Sequence, residues 1–571
     1  MLNKGSAAVT GAPPGSVRDV LAQERSVVLS VLGYGLAINL LGLTSSLYML
    51  QIYDRVLSSY SIETLVVLSL IAAVALLSLA GLEALRSSLL QRLGARAAHR
   101  LGPYAFQVQL RGSAGRDAPA LQPLRDVDAI RNLVGGPVTA SMLDLPWSPI
   151  YFILLYVLHP VLFVVAVVAS VLIGAIAYFN DRLNADASAT AAKENLKALQ
   201  FAEVAARNGE PLVAMGAANS VSAHWLSASS NAMQHSLAAT EREASFHALA
   251  RFLRNSLQIA LLGTGAALTI AGELSGGGLI AGSILGARAL QPVEAVVGAW
   301  KSVLSARQAW ERLDAALASL AKETATMPLP RPKGALSAEN VALVPPGGQR
   351  PILARLSFDL APGEQMAIVG PSGSGKSTLV RAIMGLLPCA AGNIRIDGSD
   401  VAVWQQSDLG RWIGYLPQAP LAMAGTVAQN ISRFEDAPAS AIIAAAEAAD
   451  VHEMIQALPK GYDTELGPAG LRLSGGQMQR IALAAALYGD RPVVVLDEPE
   501  AHLDSEGEAH LRAALQRLRE RKATVIVVSH RPAAVTLTDK LLVLRDGRAE
   551  FGPREEIMGK IMRSATPGGR V

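Results

Sequence analysis

Long apolar runs occur only in the first three hundred residues of the chain. Four of them reach about 20 residues, the length that a helix needs to cross a hydrocarbon core. They are residues 27–50, 64–82, 253–271 and 279–300. A longer run, 145–179, is interrupted by His159-Pro160, and because proline cannot continue a helix we predict two spans joined by a tight external turn. The pattern therefore predicts six membrane-spanning helices.

The placement of arginine and lysine predicts the orientation of these spans. The segment 86–143 carries eight arginines and the segment 181–252 carries six lysines and arginines, whereas the three short loops on the opposite side hold one basic residue, Arg55. By the positive-inside rule, the long loops, both termini and everything after Trp300 are expected to be cytoplasmic. No apolar core lies within residues 1–25, so no cleavable signal peptide is predicted.

The chain changes character after a segment that contains Pro328, Pro330 and Pro332, which is typical of a semi-rigid linker. Beyond this segment, short apolar runs bounded by turn residues alternate with helical stretches, and this alternation predicts an α/β domain. The predicted organisation is a cytoplasmic N-terminal segment (1–25), a transmembrane domain (26–320), a linker (321–333) and an α/β domain (334–571).

Composition agrees with a membrane protein that carries a soluble domain. Hydrophobic residues make up 51% of the chain and charged residues only 17%, compared with about 25% charged residues in typical soluble domains. A net charge of +3 on 571 residues is too small to indicate nucleic-acid binding. The single cysteine, Cys389, excludes an intrachain disulfide.

The strongest chemical signal is a glycine-rich loop between a predicted strand at 365–369 and a predicted helix at 379–386. In this context the glycines let backbone N–H groups surround phosphate oxygens, Lys376 bridges the β- and γ-phosphates, and the Ser377 hydroxyl binds Mg²⁺. The loop therefore predicts a nucleotide-binding site. Its predicted residues are Gly370, Pro371, Ser372, Gly373, Ser374, Gly375, Lys376, Ser377 and Thr378.

Residues 493–498 are predicted to form a buried strand that ends in two carboxylates, Asp497 and Glu498. A fully apolar strand is typical of the centre of a parallel sheet. Seen alone, an acidic pair after a strand is more often a helix cap. Its position downstream of the phosphate loop favours catalysis instead, with Asp497 holding Mg²⁺ through water and Glu498 polarising the attacking water as general base.

Between these two motifs lies a short glycine-containing segment that precedes a predicted helix at 478–488. A glycine-rich helix start is an anion site. With the two nucleotide motifs, the segment resembles the signature of ABC-transporter ATPase domains. The resemblance implies ATP as the nucleotide and two domains packed head to tail, so that each signature faces the γ-phosphate held by the other subunit. The signature residues are Leu473, Ser474, Gly475, Gly476 and Gln477.

Three further positions resemble conserved elements of that family. Gln418 is similar to the Q-loop residue that senses Mg²⁺ and couples to the membrane domain, Asp504 matches the end of the D-loop, and His530 is similar to the switch histidine that contacts the γ-phosphate. The catalytic set that the resemblance implies is Glu498, His530 and Gln418. The corresponding metal set is Ser377, Gln418 and Asp497.

Two stretches depart from the usual pattern of that family. ABC exporters commonly stack adenine on an aromatic residue near the end of the first strand, but the corresponding stretch around Pro345 contains none. The residue that contacts adenine is therefore not identified by sequence. The D-loop begins Glu500-Ala-His502 rather than with the common Ser-Ala, which is expected to change contacts across the dimer.

Parts of the membrane half resemble a narrower group, the ABC permease–ATPases of bacterial type I secretion systems that export proteases, lipases and haem-binding proteins. The similar stretches are 50–57, 144–151, 281–294 and 344–348. The resemblance implies ATP-driven export of unfolded polypeptides with an uncleaved C-terminal signal across the bacterial inner membrane. It also implies a periplasmic adaptor and an outer-membrane duct as partners. Because six spans precede one ATPase domain, a homodimer is expected.

Other interpretations stay open at this point. An exporter of lipids or hydrophobic small molecules would have the same architecture. A nucleic-acid- or ribosome-clamping ATPase is opposed by the six spans and the small net charge, and an importer by the fusion of permease and ATPase in one chain. Within the sixth span, Arg288 and Glu294 either line a polar translocation path or lie near the cytoplasmic end of the helix.

Overall fold

A computed structural model of the chain describes residues 16–115, 122–324, 329–345, 348, 350–467, 470–501, 503, 505–531, 535–545 and 547–565. The chain divides into two compact units. The first comprises Met1–Ser113 and Asp117–Ala321, and the second comprises Ala114–Arg116 and Lys322–Val571. Helices alone build the described part of the first unit, whereas the second combines helices with β-sheets.

The helices of the first unit include the apolar runs of the sequence and also polar stretches between and after them. They are α1 (Val17–Ala22), α2 (Arg25–Gly42), α3 (Thr44–Gln51), α4 (Leu57–Ser59), α5 (Ile62–Gly115), α6 (Gln122–Val134), α7 (Pro137–Asp144), α8 (Ser148–Leu158), α9 (Pro160–Arg207), α10 (Gly209–Ala214), α11 (Ala218–Ile270), α12 (Gly276–Gly298) and α13 (Trp300–Thr324). Among the described residues, Arg25–Ser59, Ile62–Gly112 and Pro137–Leu158 are long and apolar enough to cross a membrane, and Pro160–Ile176 is a shorter apolar helix.

The predicted break between spans three and four is present. Helix α8 ends at Leu158, His159 has an extended backbone, and α9 begins at Pro160. Proline is well accommodated at the first helical position, where its missing N–H would have no partner in any case. The first predicted span is less regular than expected, because α2 and α3 are separated at Leu43 and a π-helical turn, Ile52–Val56, follows.

Asp54, within this π-helical turn, fixes the start of α12. Its Oδ1 accepts a hydrogen bond from the Gly277 amide (2.8 Å), and its Oδ2 accepts one from the Ser275 hydroxyl (2.6 Å). A carboxylate at a helix N-terminus is favoured by the helix dipole and by the unpaired amides there. A Cβ at Gly277 would lie 2.7 Å from Asp54 Cγ, so only glycine allows this approach.

A polar network joins four helices of the apolar bundle. Arg86 on α5 donates to Asp144 on α7 (2.7 Å), which also accepts from the Asn39 amide on α2 (3.0 Å). Tyr151 on α8 donates to the Asn39 carbonyl (2.9 Å). Because a buried polar group without a partner is costly, this chain of bonds fixes the register of the four helices.

The second unit contains two main sheets and a short third one. Its strands are β1 (Leu336–Leu343), β2 (Leu353–Leu360), β3 (Gln365–Val369), β4 (Ala391–Ile396), β5 (Ser399–Asp400), β6 (Ile413–Leu416), β7 (Gly425–Thr426), β8 (Glu465–Leu466), β9 (Val493–Asp497), β10 (Thr524–Val528), β11 (Lys540–Arg545) and β12 (Arg548–Pro553). The sheet orders are β2-β1-β4-β5, β12-β11-β3-β10-β9-β6 and β7-β8. In the six-stranded sheet only β12 runs antiparallel.

The helices of the second unit pack on this central sheet. They are α14 (Lys376–Ile383), α15 (Gln406–Trp412), α16 (Val427–Ile431), α17 (Ala439–Ala448), α18 (His452–Gln456), α19 (Gly475–Leu487), α20 (Ser505–Glu520) and α21 (Arg554–Ala565). One apolar cluster joins the sheet β2-β1-β4-β5 and α14 to one face of the central sheet. Another cluster joins the opposite face of the central sheet to α16, α17, α19 and α20. Strands β9 and β10 are buried along their whole length, as their apolar sequences predict.

Candidate nucleotide site

Sheet register brings the candidate residues to one edge of the central sheet. In the parallel pairs, Ile368 of β3 lies beside Val528 of β10, and Val528 lies beside Asp497 of β9. Leu416 of β6 pairs with Leu496 of β9. The phosphate loop, Gln418, Glu498 and His530 all follow the carboxyl ends of these strands, which is where open parallel sheets bind their ligands.

The phosphate loop connects β3 directly to α14. We predicted that the helix begins at 379, where its apolar pattern starts, but it begins at Lys376. Gly375 has φ +97° and acts as the N-cap, so the chain turns into the helix immediately after it. Ser377 and Thr378 therefore lie in the first helical turn, whose amides have no intrahelical acceptor and form an anion site.

Close packing also requires glycine at the start of the loop. A Cβ at Gly370 would lie 2.4 Å from the Leu544 carbonyl oxygen of β11 and 2.8 Å from Ser374 Oγ. The Ser374 hydroxyl is buried and has no hydrogen-bond partner among the described residues. The loop thus holds a buried polar group that faces no protein partner.

Lys376 is buried at the centre of this loop. Its Nζ donates to the carbonyl oxygens of Gly370 (2.9 Å) and Pro371 (3.0 Å), so it closes the loop on itself. Burial lowers the pKa of Lys376 from its ordinary value, and the carboxylates of Glu498 and Asp497 partly oppose this effect. The ammonium group lies between loop carbonyls and acidic residues, where a phosphate can replace the carbonyls as its partner.

Asp497 ends β9 and is almost fully buried. Burial, together with the nearby Glu498, raises the pKa of Asp497 to about 6. Its Oδ1 has no hydrogen-bond partner among the described residues. A buried carboxylate oxygen without a protein partner suits a hard divalent cation or a water molecule bound to one, because both prefer oxygen ligands.

Glu498 has a left-handed backbone, with φ +50°, and its amide donates to the Val528 carbonyl (2.9 Å). This turn carries the side chain away from the buried strand. Gln418 Nε2 donates to Glu498 Oε2 (2.8 Å), and His530 Nε2 lies 3.5 Å from Glu498 Oε1. Three residues from separate motifs of the sequence thus meet at one carboxylate.

Glu500 is a residue of the site that the sequence motifs do not predict. Its carboxylate is 6% exposed and accepts hydrogen bonds at Oε1 from the Ser529 hydroxyl (2.5 Å) and from the His530 amide (3.2 Å). Glu500 therefore ties the segment after β9 to the segment after β10. The only sequence signal was the departure of the D-loop from the usual family pattern.

Gln479 is a second residue of the site that the sequence motifs do not predict. It lies on the buried face of α19, and its Nε2 approaches the carbonyl oxygens of Glu498 (3.4 Å) and Pro499 (3.5 Å). The helix that follows the signature is thereby connected to the backbone of the candidate base. A glutamine among the apolar residues of an amphipathic helix was the available signal.

The signature segment forms the N-terminus of α19, which begins at Gly475 rather than at the predicted 478. Ser474 is the N-cap: its Oγ accepts from the Gln477 amide (3.2 Å), and Gln477 Oε1 accepts from the Ser474 amide (3.0 Å). This reciprocal pair is a capping box, for which the spacing Ser-x-x-Gln is a recognised pattern. Ser474 and Gly475 are exposed, and Leu473 is half-buried. Asp504 and His502 of the D-loop lie outside the described residues.

Comparison with known proteins identifies the family. Residues 353–501 match the family described as "ABC transporter". The chain is also 39% identical, over 552 residues, to the "Type I secretion system ATP-binding protein PrsD" of Rhizobium meliloti (strain 1021), and the match covers 95% of each protein. The chain belongs to the type I secretion ABC transporters. The family resemblance seen in the sequence is therefore confirmed, and this ABC transporter binds nucleotide and hydrolyses ATP.

Other relatives of this ABC transporter share a smaller part of its length. The "ATP-dependent lipid A-core flippase" of Burkholderia orbicola (strain AU 1054) is 38% identical over 232 residues, which is 40% of this chain and 39% of the flippase. That of Thiobacillus denitrificans (strain ATCC 25259 / T1) is 40% identical over 248 residues, or 43% and 42% of the two chains.

A solved structure confirms the predicted fold class of this ABC transporter. The "Structure of a bacterial Atm1-family ABC exporter with ATP bound" superposes with a TM-score of 0.81 and covers 96% of this chain and 100% of that chain, at 22% sequence identity. The fold is a membrane α-helical domain of the exporter type fused to an α/β ATPase domain. This ABC exporter is a multi-pass membrane protein.

Proposed function

We propose that this ABC exporter uses ATP hydrolysis to drive unfolded polypeptides with a C-terminal secretion signal across the inner membrane of a bacterium. The observation that carries the proposal is the similarity to a type I secretion ATP-binding protein along 95% of both chains, which includes the membrane half. The flippase matches cover about 40% of this chain, and the ATPase motifs that all ABC transporters need do not specify a cargo.

In this proposal the residues at the carboxyl ends of the central strands bind and hydrolyse ATP. Lys376 and the amides at the start of α14 bind the phosphates, and Glu498 accepts a proton from the attacking water as general base. The contacts of Gln418 and His530 with the two oxygens of Glu498 support this assignment, because they orient the carboxylate. His530 is then positioned to contact the γ-phosphate.

Mg²⁺ is the metal that we assign to this site, and Ser377, Gln418 and Asp497 are the residues that would hold it. The unpartnered and buried Asp497 Oδ1 supports that choice. When bound, the ion would neutralise negative charge on the β- and γ-phosphates. Asp497 has to be ionised to contribute a negative ligand, and its raised pKa makes this step sensitive to pH.

We further propose that the working unit is a homodimer. The exposed N-terminus of α19, with Ser474 at its cap, is then free to meet the γ-phosphate bound by the partner's phosphate loop. Asp504 is expected to contribute to the same interface. A periplasmic adaptor and an outer-membrane exit duct would receive the cargo, and the ATPase domain and the N-terminus would lie in the cytoplasm.

The experiment that tests this function measures ATPase activity of the full chain in lipid nanodiscs while synthetic C-terminal peptides are added. The peptides come from candidate secreted proteins encoded near this chain, and a scrambled peptide is the control. A saturable change in turnover with one native peptide, absent with its scrambled form, supports polypeptide export. Turnover that responds to no peptide contradicts it.

Export of lipids is the second candidate, because the flippase relatives are 38–40% identical over their shared part. The same assay separates the two functions when lipid A and hydrophobic small molecules are titrated in parallel. A response to lipid A without any response to peptides favours the second candidate over polypeptide export.

A further inference from the structure

A polar cavity of about 440 Å³ lies between α11 and α12 in the membrane unit. Apolar side chains such as Leu261 and Leu290, both fully buried, form part of its wall. The remaining lining is unusual for a membrane helix pair, because it contains charged and amide side chains. These are Arg254, Asn255, Gln258, Arg288, Gln291 and Glu294.

Arg288 lies within the predicted sixth span, where a charged side chain is energetically unfavourable. At a rise of about 1.5 Å per residue, Arg288 lies about 14 Å along α12 from residue 279, where the predicted span begins. Towards the other boundary, Arg254 at the start of the predicted fifth span contacts Glu294, which lies about 9 Å further along α12 than Arg288. Arg288 therefore lies within the predicted hydrocarbon core, about 14 Å from one boundary and about 9 Å from the other. Ionisable side chains at such depth face a cavity or a partner and mark functional sites.

The charges in the cavity do not balance. Arg254 Nη1 lies 3.3 Å from Glu294 Oε2, so these two side chains compensate each other. Arg288 has no hydrogen-bond or ion-pair partner among the described residues, and Asp144, the acidic group near its neighbour Tyr151, is already paired with Arg86. One positive charge is therefore left without a counterion inside the bundle.

Gly42 is the residue of α2 that lies beside the Arg288 guanidinium. A Cβ at Gly42 on α2 would lie 3.0 Å from the Tyr151 hydroxyl and 3.8 Å from Arg288 Nη1. In addition, Glu294 Oε1 is buried and has no hydrogen-bond partner among the described residues. The cavity thus offers both an unpaired cation and an unpaired acceptor, which are the groups that an amino-acid side chain or peptide unit could satisfy.

We propose that this cavity binds a carboxylate of the transported polypeptide, with the Arg288 guanidinium as its ion-pair partner. This inference rests on the proposed function, since it names a contact of the same cargo. A guanidinium pairs with a carboxylate through two parallel hydrogen bonds, and the amides of Gln258 and Gln291 line the same space.

The size of the cavity favours a polypeptide over a lipid as the source of the negative charge. Its volume lies near the lower end of the range of about 300–1,000 Å³ typical of small-molecule pockets. It suits one or two side chains rather than several acyl chains.

The test uses the full chain in phosphatidylcholine nanodiscs and the C-terminal peptide that stimulates its ATPase. A second form of the peptide has every Asp and Glu replaced by Asn and Gln and carries a C-terminal amide. The protein variants are Arg288→Gln, Arg288→Lys and the matched control Arg251→Gln. Arg251 is exposed on the same helix as Arg254 but does not line the cavity.

On the wild type, we expect the neutral peptide to need an at least 10-fold higher concentration for half-maximal stimulation. Arg288→Gln should show the same loss of potency with the acidic peptide and little further loss with the neutral peptide, because the change in the protein and the change in the peptide remove the same interaction. Arg288→Lys should retain part of the affinity, and Arg251→Gln should behave as the wild type. Basal ATPase activity of Arg251→Gln should equal that of the wild type, and stimulation of each variant is expressed relative to its own basal activity.

Three results would overturn the inference. The first is an unchanged response of Arg288→Gln to the acidic peptide, and the second is a loss in which the two changes multiply as independent effects. The third is Arg288-dependent stimulation by phosphatidylglycerol in the absence of peptide. If Arg288→Gln does not fold, Arg288→Lys and Gln291→Ala replace it. Equal potency of the acidic and neutral peptides on the wild type would then overturn the inference without any variant. A wild type that responds to no peptide contradicts the proposed function itself.

Discussion

The side-chain amide of Gln418 donates a hydrogen bond to the carboxylate of Glu498, with 2.8 Å between Nε2 and Oε2. Gln418 follows β6 and Glu498 follows β9, and these strands are parallel neighbours. The contact is therefore a direct consequence of sheet register. It connects the segment that resembles a Q-loop to the candidate base, so that movement of one should alter the orientation of the other.

Replacing Glu498 with Gln should separate nucleotide binding from hydrolysis. The amide has nearly the same shape but cannot accept the proton from water, so turnover should fall by about 10²–10⁴-fold, the usual contribution of a general base. ATP binding should stay within a few-fold of the wild type. Steady-state ATPase assays and equilibrium binding of a fluorescent ATP analogue measure the two quantities. Glu453→Gln, at an exposed position of α18, is the control. Near-normal turnover in Glu498→Gln would exclude this residue as the base.

Replacing Gln418 with Ala should lower kcat more than it weakens ATP binding. The variant loses the donor that orients Glu498, while the phosphate loop keeps its own contacts. We expect kcat to fall about 10-fold, as for loss of one hydrogen bond worth about 1.4 kcal/mol. An increase in KM with unchanged kcat would contradict an orienting role and indicate a role in binding alone.

Replacing Asp497 with Asn should stabilise the nucleotide-free protein while it abolishes Mg²⁺-dependent turnover. The folded-state pKa of Asp497 is raised from 3.8 to about 6. Proton binding by Asp497 therefore adds to the free energy of unfolding at low pH, and this contribution is lost as pH rises through about 6. Two pKa units correspond to at most about 3 kcal/mol at neutral pH. Thermal unfolding without nucleotide should therefore show a higher midpoint for the variant at pH 7.5 and a much smaller gain near pH 4. An equal gain at both values would contradict this explanation.

Glu500 should act by positioning the His530 segment. Ala at this position removes the acceptor of the His530 amide and leaves the Ser529 hydroxyl only its longer contact with the Arg531 carbonyl (3.3 Å), and we expect kcat to fall about 10-fold or more. Glu500→Gln retains an acceptor oxygen and should recover most of that loss. Ser529→Ala removes one of the two bonds to Glu500 and also the contacts of the Ser529 hydroxyl with the Arg531 backbone, so its effect should not be additive with that of Glu500→Ala. A Gln variant as slow as the Ala variant would refute this role.

Some parts of this structure could be predicted from the sequence because local patterns determine them. Strand β3 has the predicted bounds, and β9 ends one residue before the predicted end at 498, since each is a short apolar run ended by turn residues or charges. The break at His159-Pro160 follows from the chemistry of proline. The start of α14 was placed three residues late because the apolar pattern begins after the cap at Gly375.

Other parts depend on contacts between distant segments and could not be predicted. The bonds from Ser529 and His530 to Glu500 exist only because β9 and β10 are adjacent, which a single sequence does not state. The interruption at Leu43 has no proline to mark it. Likewise, the pairing of Arg254 with Glu294 requires the packing of α11 on α12, so the sequence alone left the roles of the charges in the sixth span open.

The most direct test of polypeptide export compares the proteins in the culture medium of the organism that encodes this chain with those of a strain in which Glu498 is replaced by Gln. The account predicts that one or more polypeptides disappear from the medium, accumulate in the cytoplasm, and return when the wild-type chain is supplied. An unchanged set of secreted proteins, together with a defect in lipid transport, would contradict it.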